Sequence, residues 1–284
     1  MSSDFDLKTQ DMEIVQSRDN PLIKRIRGIV SEVRAYKSSN ELWLEGEHLC
    51  TAAFDKGLNV EHLVCSQSHL SQLQRTFPLW FKKANRVNVI HDSLFKLISA
   101  LPSPAGIGFL VTVTKPLSVN PLLPSVVLDR LQDAGNVGSI LRTAAAFGYK
   151  QIIALQGTAG LWSAKVIRAG MGAHFSLQLL ESATLEDVKA LQVPLLCTSS
   201  HAGAYLHELQ LANQIPSPCA WVFGHEGQGV RTELLEIATH KVKIAQPAGE
   251  ESLNVAAATA ICLYAGIAQS HLMPVGSNES HRPQ

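Results

Sequence analysis

The sequence has no excess charge of either sign: 24 Lys and Arg stand against 24 Asp and Glu. That balance argues against indiscriminate electrostatic binding to nucleic acid, while leaving room for a local basic face. Closely spaced cysteines are missing too. The five present, at 50, 65, 197, 219 and 262, are odd in number and form no CxxC pair. They read as free, mostly buried thiols of a reducing compartment, with no structural metal site. The opening MSSDFDLKTQDMEIV has early acids and no hydrophobic core, so no export signal is expected and the chain is assigned to the cytoplasm. Between Ser252 and His271 there is no Asp, Glu, Lys or Arg, yet Ser252, Asn254, Gln269 and many alanines make this run too weakly apolar for a membrane span. A core or subunit-interface helix is expected there. Several catalytic signatures are absent: no GxxxxGK[ST], no GxSxG, no GxGxxG after the first strand, and no second histidine four residues beyond His225. These absences set aside a phosphate loop, a hydrolase elbow and a zinc-protease helix, and weaken an ordinary dinucleotide-binding reading.

What is present is a chain of 284 residues, 46% hydrophobic and 17% charged, the make-up of a globular protein with room for two domains. Residues 1–12 read as a flexible tail. From Ser17, the stretch SRDNPLIKRIRGIVSEVRAYKSSN predicts a helix capped at Asp19 or Asn20 before Pro21, with Leu22, Ile26 and Ile29 on one face. Lys24, Arg25, Arg27, Arg34 and Lys37 occupy other positions, a basic face of the kind that is usually only solvated. ELWLEG, VEHLVCS, RVNVIH and GIGFLVTVTK then alternate as strands with helical segments, which makes 13–112 a small α/β domain. The proline-containing 113–124 is the linker. A second alternating run fills 125–271, with strands at PSVVLDRL, KQIIAL, FSLQLL, VPLLCTS, CAWVFG and KVKIA. Residues 272–284 are polar and read as a disordered tail.

Polar breaks at the carboxyl ends of three predicted strands stand out: DAGNVGSILR, WVFGHEGQGV and IAQPAGEESLNVAAA. In open α/β sheets ligands collect at those ends. The first break places Asn136 at a strand-to-helix junction, with Arg142 further along the helix, where a rigid guanidinium fork can clamp phosphate. The plain alternative is that Asn136 caps the helix and Arg142 makes a surface ion pair. Gly224, Gly227 and Gly229 permit close backbone approach or a tight turn. Glu226 between them could cap a helix or hold a substrate group, and Ser252 and Asn254 open the last helix, where capping is an equal reading.

These three segments, in this order, resemble the signature motifs of the SpoU/TrmH family of RNA 2′-O-methyltransferases in the SPOUT superfamily. DAGNVGSILRTAAAFG matches the first, FGHEGQGV the second and SLNVAAATAICLY the third, with RAGMGAHF agreeing in between. The resemblance covers Ser125 to Gln269, and 13–112 resembles, less specifically, a substrate-binding domain akin to RNA-binding ribosomal proteins. It implies an α/β fold: a C-terminal parallel-sheet SPOUT domain with a trefoil knot, preceded by a small α/β substrate-binding domain. S-adenosylmethionine would sit in the knot against Thr198, Ser199, Gly224, Ile244 and Leu253. Asn136, Arg142, Glu226, Ser252 and Asn254 would form the catalytic set. RNA, either rRNA or tRNA, would be the substrate, gripped by Lys24, Arg25 and Arg27, and the uncharged last helix would serve a homodimer. Three departures concern the cofactor loop and its neighbours: Ala245-Gln246 replaces a usual Pro-Met, His225 a usual asparagine, and Ala134-Gly135 a usual Pro-Gly.

The resemblance implies in-line transfer of a methyl group to a ribose 2′-hydroxyl, without a metal. Arg142 would engage that hydroxyl; because arginine resists deprotonation, binding a neighbouring phosphate and the developing alkoxide suits it better than acting as base. Two alternatives accompany this expectation: an RNA-binding or ribosome-assembly factor that keeps the fold without activity, and a SPOUT enzyme that methylates a base nitrogen.

Overall fold

Asn20 begins the first long helix. Its side chain accepts a hydrogen bond from Leu22 N at 2.9 Å, and Pro21 takes the first helical position. This is a computed structural model that describes residues 13–32, 35–114, 116, 118–246 and 253–272, excluding the side chains of 269–272. The chain divides into two units, Met1–Lys115 with Gly160–Ser176, and Pro116–Ala159 with Leu177–Gln284.

The first unit runs β1 (Ile14–Val15), α1 (Pro21–Ser31), α2 (Tyr36–Ser39), β2 (Glu41–Glu45), α3 (Glu47–Asp55), β3 (Val60–Ser66), α4 (Leu70–Thr76), α5 (Pro78–Lys83), β4 (Arg86–Ile90), α6 (Asp92–Ile98) and β5 (Ile107–Thr112). Its sheet has the order β1-β4-β3-β5-β2. β4 is parallel to β1 and β3, whereas β5 is antiparallel to β3 and β2. Ile23 and Ile26 of α1 join Trp43, Val64, Leu94, Phe95, Ile98 and Leu110 in one core, which leaves the charged positions of α1 at the surface. The basic helix expected to run on from Pro21 stops at Ser31. Lys37 belongs to the separate α2, which ends on Asn40 in the left-handed region at φ 56°. Arg34 lies outside the described residues.

The second unit contains β6 (Ser125–Asp129), α7 (Ala134–Ala146) and β7 (Gln151–Leu155). After the excursion at Gly160–Ser176, which carries α8 (Ala164–Gly170), come β8 (Gln178–Ala183), α9 (Leu185–Lys189), β9 (Leu195–Thr198), β10 (Ala204–Tyr205), α10 (Leu206–Leu211), β11 (Ala220–Gly224), α11 (Thr232–Ile237), β12 (His240–Lys243) and α12 (Val255–Leu272). All seven strands are parallel, in the order β10-β12-β9-β11-β6-β7-β8. The continuous apolar runs of β6, β7 and β11 follow from helices covering both faces of such a sheet, and every residue of β6 and β7 is buried. Val127, Ile153, Leu180, Cys197, Val222 and Leu234 share one core. α12 packs on α7 and α10.

Two sequence expectations are displaced here. The strand expected from Phe175 starts at Gln178, because Ala173–Ser176 forms a 3₁₀ turn. The segment Gly160–Ser176, which sequence order puts inside 125–271, groups with the first unit. Its packing explains why: Gly172, at φ 82°, sits so close to α3 that an added Cβ would lie 2.5 Å from the Ala52 Cβ. All five cysteines are free and buried. Among the described residues no helix is long and apolar enough to cross a membrane, and no group of His, Cys, Asp and Glu could hold a metal ion.

Candidate active site

The DAGNVG break becomes the first turn of α7, and its cap is Asp133: the Asp133 Oδ1 accepts from Asn136 N at 2.7 Å. Because Asp133 does the capping, the Asn136 side chain is free to work elsewhere. Its Nδ2 donates to Glu226 Oε1 at 3.4 Å, and its Oδ1 accepts from Asn254 Nδ2 at 3.0 Å. Glu226 also accepts from Gln132 N at 3.4 Å and Asp133 N at 3.3 Å, so the carboxylate sits against the positive end of α7. Burial alone would raise the Glu226 pKa, but the backbone amides of Glu226, Asp133 and Gln132 and the Asn136 amide outweigh it and hold it below the usual glutamate value. Asn254 does two jobs: its Oδ1 accepts from Ala256 N and Ala257 N at 2.9 and 3.2 Å, capping α12, while its amide reaches Asn136. Residues far apart in sequence thus meet in one chain, Glu226–Asn136–Asn254.

Arg142 lies six residues beyond Asn136 on α7, about 9 Å along the axis. It is exposed and makes no hydrogen bond or ion pair among the described residues. Ser252 falls outside the described residues.

The loop that carries Glu226 is tightly folded. A Cβ on Gly224 would lie 2.1 Å from Gly229 C and Val230 N, so only glycine lets the chain return past the end of β11. His225 and Gly229 form an antiparallel bridge, and the His225 Nδ1 accepts from Gly227 N at 3.0 Å. A feature that motif reading missed anchors this loop: the fully buried Asp129 at the end of β6. It accepts from Arg231 N at 2.9 Å, Arg231 Nε at 2.7 Å and Arg130 Nε at 3.0 Å, while Arg130 Nη1 reaches Gln228 Oε1 at 2.9 Å. Burial pushes the Asp129 pKa up, and the Arg130 and Arg231 hydrogen bonds more than cancel that, leaving it below the ordinary aspartate value. The available signal was an Asp-Arg pair closing an otherwise apolar strand.

Of the expected cofactor residues, Thr198, Ser199, Gly224 and Ile244 stand at the carboxyl ends of the neighbouring strands β9, β11 and β12. Thr198 Oγ1 donates to Val222 O at 3.0 Å, and Ser199 Oγ accepts from His201 N and Ala202 N at 3.2 and 3.1 Å. Both hydroxyls are thus committed to shaping the turn. Gly203 is held so close to β12 that a Cβ would lie 2.0 Å from Lys241 O. Gln246 Oε1, two residues past Ile244, is buried without a partner among the described residues. Leu253 is 39% exposed, just ahead of α12.

In the first unit the three expected RNA contacts separate. Arg25 is taken up by Glu41 and Glu61, with its Nε 2.9 Å from Glu41 Oε2 and its Nη2 3.0 Å from Glu61 Oε1. Lys24 makes an exposed pair with Asp19 at 2.9 Å, and Arg27 is exposed. Lys24 and Arg27 line an open groove with Gly28, Val30, Ser31 and Leu97.

The comparisons with known proteins agree on what this sheet and its loops belong to. The SpoU rRNA Methylase family model matches residues 124–264. A tRNA/rRNA methyltransferase of Synechocystis, itself described as uncharacterized, is 32% identical over 264 residues, covering 90% of this chain and 94% of its own. The chain belongs to the SpoU methylase family. This SpoU-family chain is also 25% identical over 257 residues to the 23S rRNA (guanosine(2553)-2′-O)-methyltransferase RlmP of Bacillus subtilis, covering 89% and 98% of the two chains. The crystal structure of an rRNA methyltransferase from Sinorhizobium meliloti superposes with a TM-score of 0.77 at 26% identity, over 93% of this chain and 99% of that one. The family match spans the three segments that carry Asn136, Glu226 and Asn254.

Proposed function

We propose that this SpoU-family chain transfers the methyl group of S-adenosylmethionine to a ribose 2′-hydroxyl of structured rRNA or tRNA. The observation that carries the reading is the Glu226–Asn136–Asn254 chain at the carboxyl ends of β6 and β11, with Arg142, which has no partner among the described residues, on the same helix as Asn136. The names of the B. subtilis and S. meliloti relatives support it. The ends of β9, β11 and β12 fit the cofactor by two features: loops folded tightly enough to exclude side chains at Gly203, against the backbone of β12, and at Gly224, against Gly229 and Val230, and a Gln246 acceptor without a partner among the described residues.

When bound, a sulfonium supplies an already activated methyl group, which leaves the chain to orient and activate the hydroxyl. The guanidinium fork of Arg142 binds an RNA phosphate and stabilises charge developing on the 2′-oxygen. Asn136 carries a donor and an acceptor between two loops, and Glu226 holds it in that orientation. Asn254 completes the catalytic set, to which the family resemblance adds Ser252, and Thr198, Ser199, Gly224, Ile244 and Leu253 would hold the cofactor. The knot implied by the family resemblance is supported by β12, the last strand, lying inside the sheet between β9 and β10. A homodimer through this domain is supported by α12, which leaves Ile261 42% and Tyr264 60% exposed. The first unit would grip RNA through Lys24 and Arg27, with Arg25 serving its own fold. A cytoplasmic location fits five free, buried thiols.

The test is transfer of labelled methyl to rRNA and tRNA, with nuclease digestion and mass spectrometry to place the methyl on ribose or base. Arg142→Ala should abolish transfer and leave calorimetric binding of S-adenosylmethionine nearly intact. Methyl on a base nitrogen, or unchanged turnover in that variant, would overturn the proposal.

A further inference from the structure

Glu226 is held at the long end of hydrogen-bonding range. Its contacts with Gln132 N, Asp133 N and Asn136 Nδ2 measure 3.3 to 3.4 Å, so a shift of a few tenths of an ångström in its loop would break them. Glu226 itself is not anchored by packing, since it stands exposed in a loop rich in glycine. Something else must set the position of that loop.

Beyond its internal His225–Gly229 bridge, the loop's attachments to the sheet lead to one residue. Gly224, where the loop leaves β11, pairs in register with Asp129 at the end of β6. The chain returns at Arg231, whose amide and guanidinium both bind Asp129, with Nη2 at 2.6 Å from Oδ1. Between these ends, Gln228 at the tip accepts from Arg130, and Arg130 is itself clasped by Asp129 through Nε and Nη2 at 3.0 and 3.2 Å. Arg130 holds the left-handed region at φ 62°, with its amide donating to Thr158 Oγ1 at 3.1 Å. A non-glycine residue takes that conformation when its surroundings over-determine it. Gly157 makes room for it: a Cβ there would lie 3.2 Å from Arg130 Cγ. Glu233 is the other acidic group acting on Arg130.

We infer that Asp129 is a positioning residue of the transfer reaction, a buried carboxylate that sets the height of the Glu226 loop over the first turn of α7 through Arg231 at the loop's end and Arg130–Gln228 at its tip. Asp129 does not touch Glu226, and with five donor groups around it has no lone pair to spare for chemistry. The inference rests on the reading of Glu226 as part of the site.

A double-mutant cycle tests it, using the full-length protein, an rRNA substrate and S-adenosylmethionine. Asp129→Asn, Glu226→Gln and the double variant are compared for kcat, KM for RNA and calorimetric affinity for S-adenosylmethionine. A misplaced group can cost up to about a hundredfold in rate, so Asp129→Asn should lower kcat by roughly tenfold to a hundredfold at unchanged cofactor affinity. The double variant should lose little beyond Glu226→Gln alone. Multiplying losses would overturn the inference, as would an effect of Glu226→Gln with none from Asp129→Asn. If Glu226→Gln is itself silent, the reading beneath the inference falls as well. Because Asp129→Asn could impair folding, Gln228 supplies a second route that leaves the Asp129–Arg231 contact in place. Gln228→Ala should lower kcat several-fold with an unchanged melting temperature, and Gln228→Glu, which keeps an acceptor for Arg130, should restore it. Equal kcat in both Gln228 variants and the parent would refute the tether.

Discussion

Lowering the pH from 7 to 5 should weaken the first unit through one buried histidine. His174 is fully enclosed in the turn at Ala173–Ser176: its Nε2 lies 2.8 Å from Leu161 O, its ring centre 5.3 Å from that of Trp162, and its Nδ1 has no partner among the described residues. Burial disfavours the charged ring and pushes its pKa down from 6.5 to about 4, the contact with Leu161 O offsetting only part of this. The sign follows from proton counting. Above pH 6.5 neither state binds the proton, and the stability is fully present. Between 6.5 and 4 the unfolded chain binds it and the folded chain does not, so stability falls as pH falls, by about 1.4 kcal/mol per unit. At pH 5 the loss is about 2 kcal/mol, and it levels off near 3 kcal/mol below pH 4. Urea unfolding followed by tryptophan fluorescence at several pH values measures it, with Trp162 reporting beside the ring. His174→Phe should be less stable at pH 7, having lost the contact with Leu161, yet flatter between 6.5 and 5. A parent slope no steeper than that of His174→Phe would refute the reasoning.

Arg25 and Arg27 should separate by assay. Arg25→Met should cost about 1 kcal/mol of stability, less at high salt because the side chain is 37% exposed, with RNA affinity unchanged; Arg27→Met should weaken RNA binding in a filter assay and leave the melting temperature alone. Gly28 lies inside α1 with nothing within 4 Å of where a Cβ would go. Gly28→Ala should therefore stabilise the unit by up to about 1 kcal/mol while weakening RNA binding at the groove it lines, and a lowered melting temperature would contradict this. Gly224→Ala would drive a methyl into the backbone of Gly229 and Val230; it should cost about 1–3 kcal/mol or more and abolish transfer, a change that calorimetry and a methyl-transfer assay would register together.

Much of the candidate site was legible because its loops follow strand ends, where a break in an apolar run is visible in the sequence. DAGNVG, GHEGQG and SLNVAAA each announce such a break, and the structure brings Asn136, Glu226 and Asn254 into contact. Their individual roles were not legible. Whether Asn136 caps its helix or faces a neighbour depends on Asp133, three residues earlier, which also has the chemistry of a cap. The basic face of α1 shows the same limit. Charge periodicity identifies Lys24, Arg25 and Arg27 as surface cations, but it cannot see that Glu41 and Glu61 lie opposite Arg25 and take its guanidinium.

By itself the sequence determined the alternation of strands and helices, the free thiols and the three polar loops, all properties of local pattern. Tertiary structure decided which of those residues meet. It grouped Gly160–Ser176 with the first unit, placed the last strand β12 between β9 and β10, and drew Arg130, Arg231 and Gln228 into one network around Asp129. The physical reason is common to all three. A strand's apolar run states that it is buried, and says nothing of its neighbours; a buried carboxylate must find donors, and those donors came from residues up to 102 positions away.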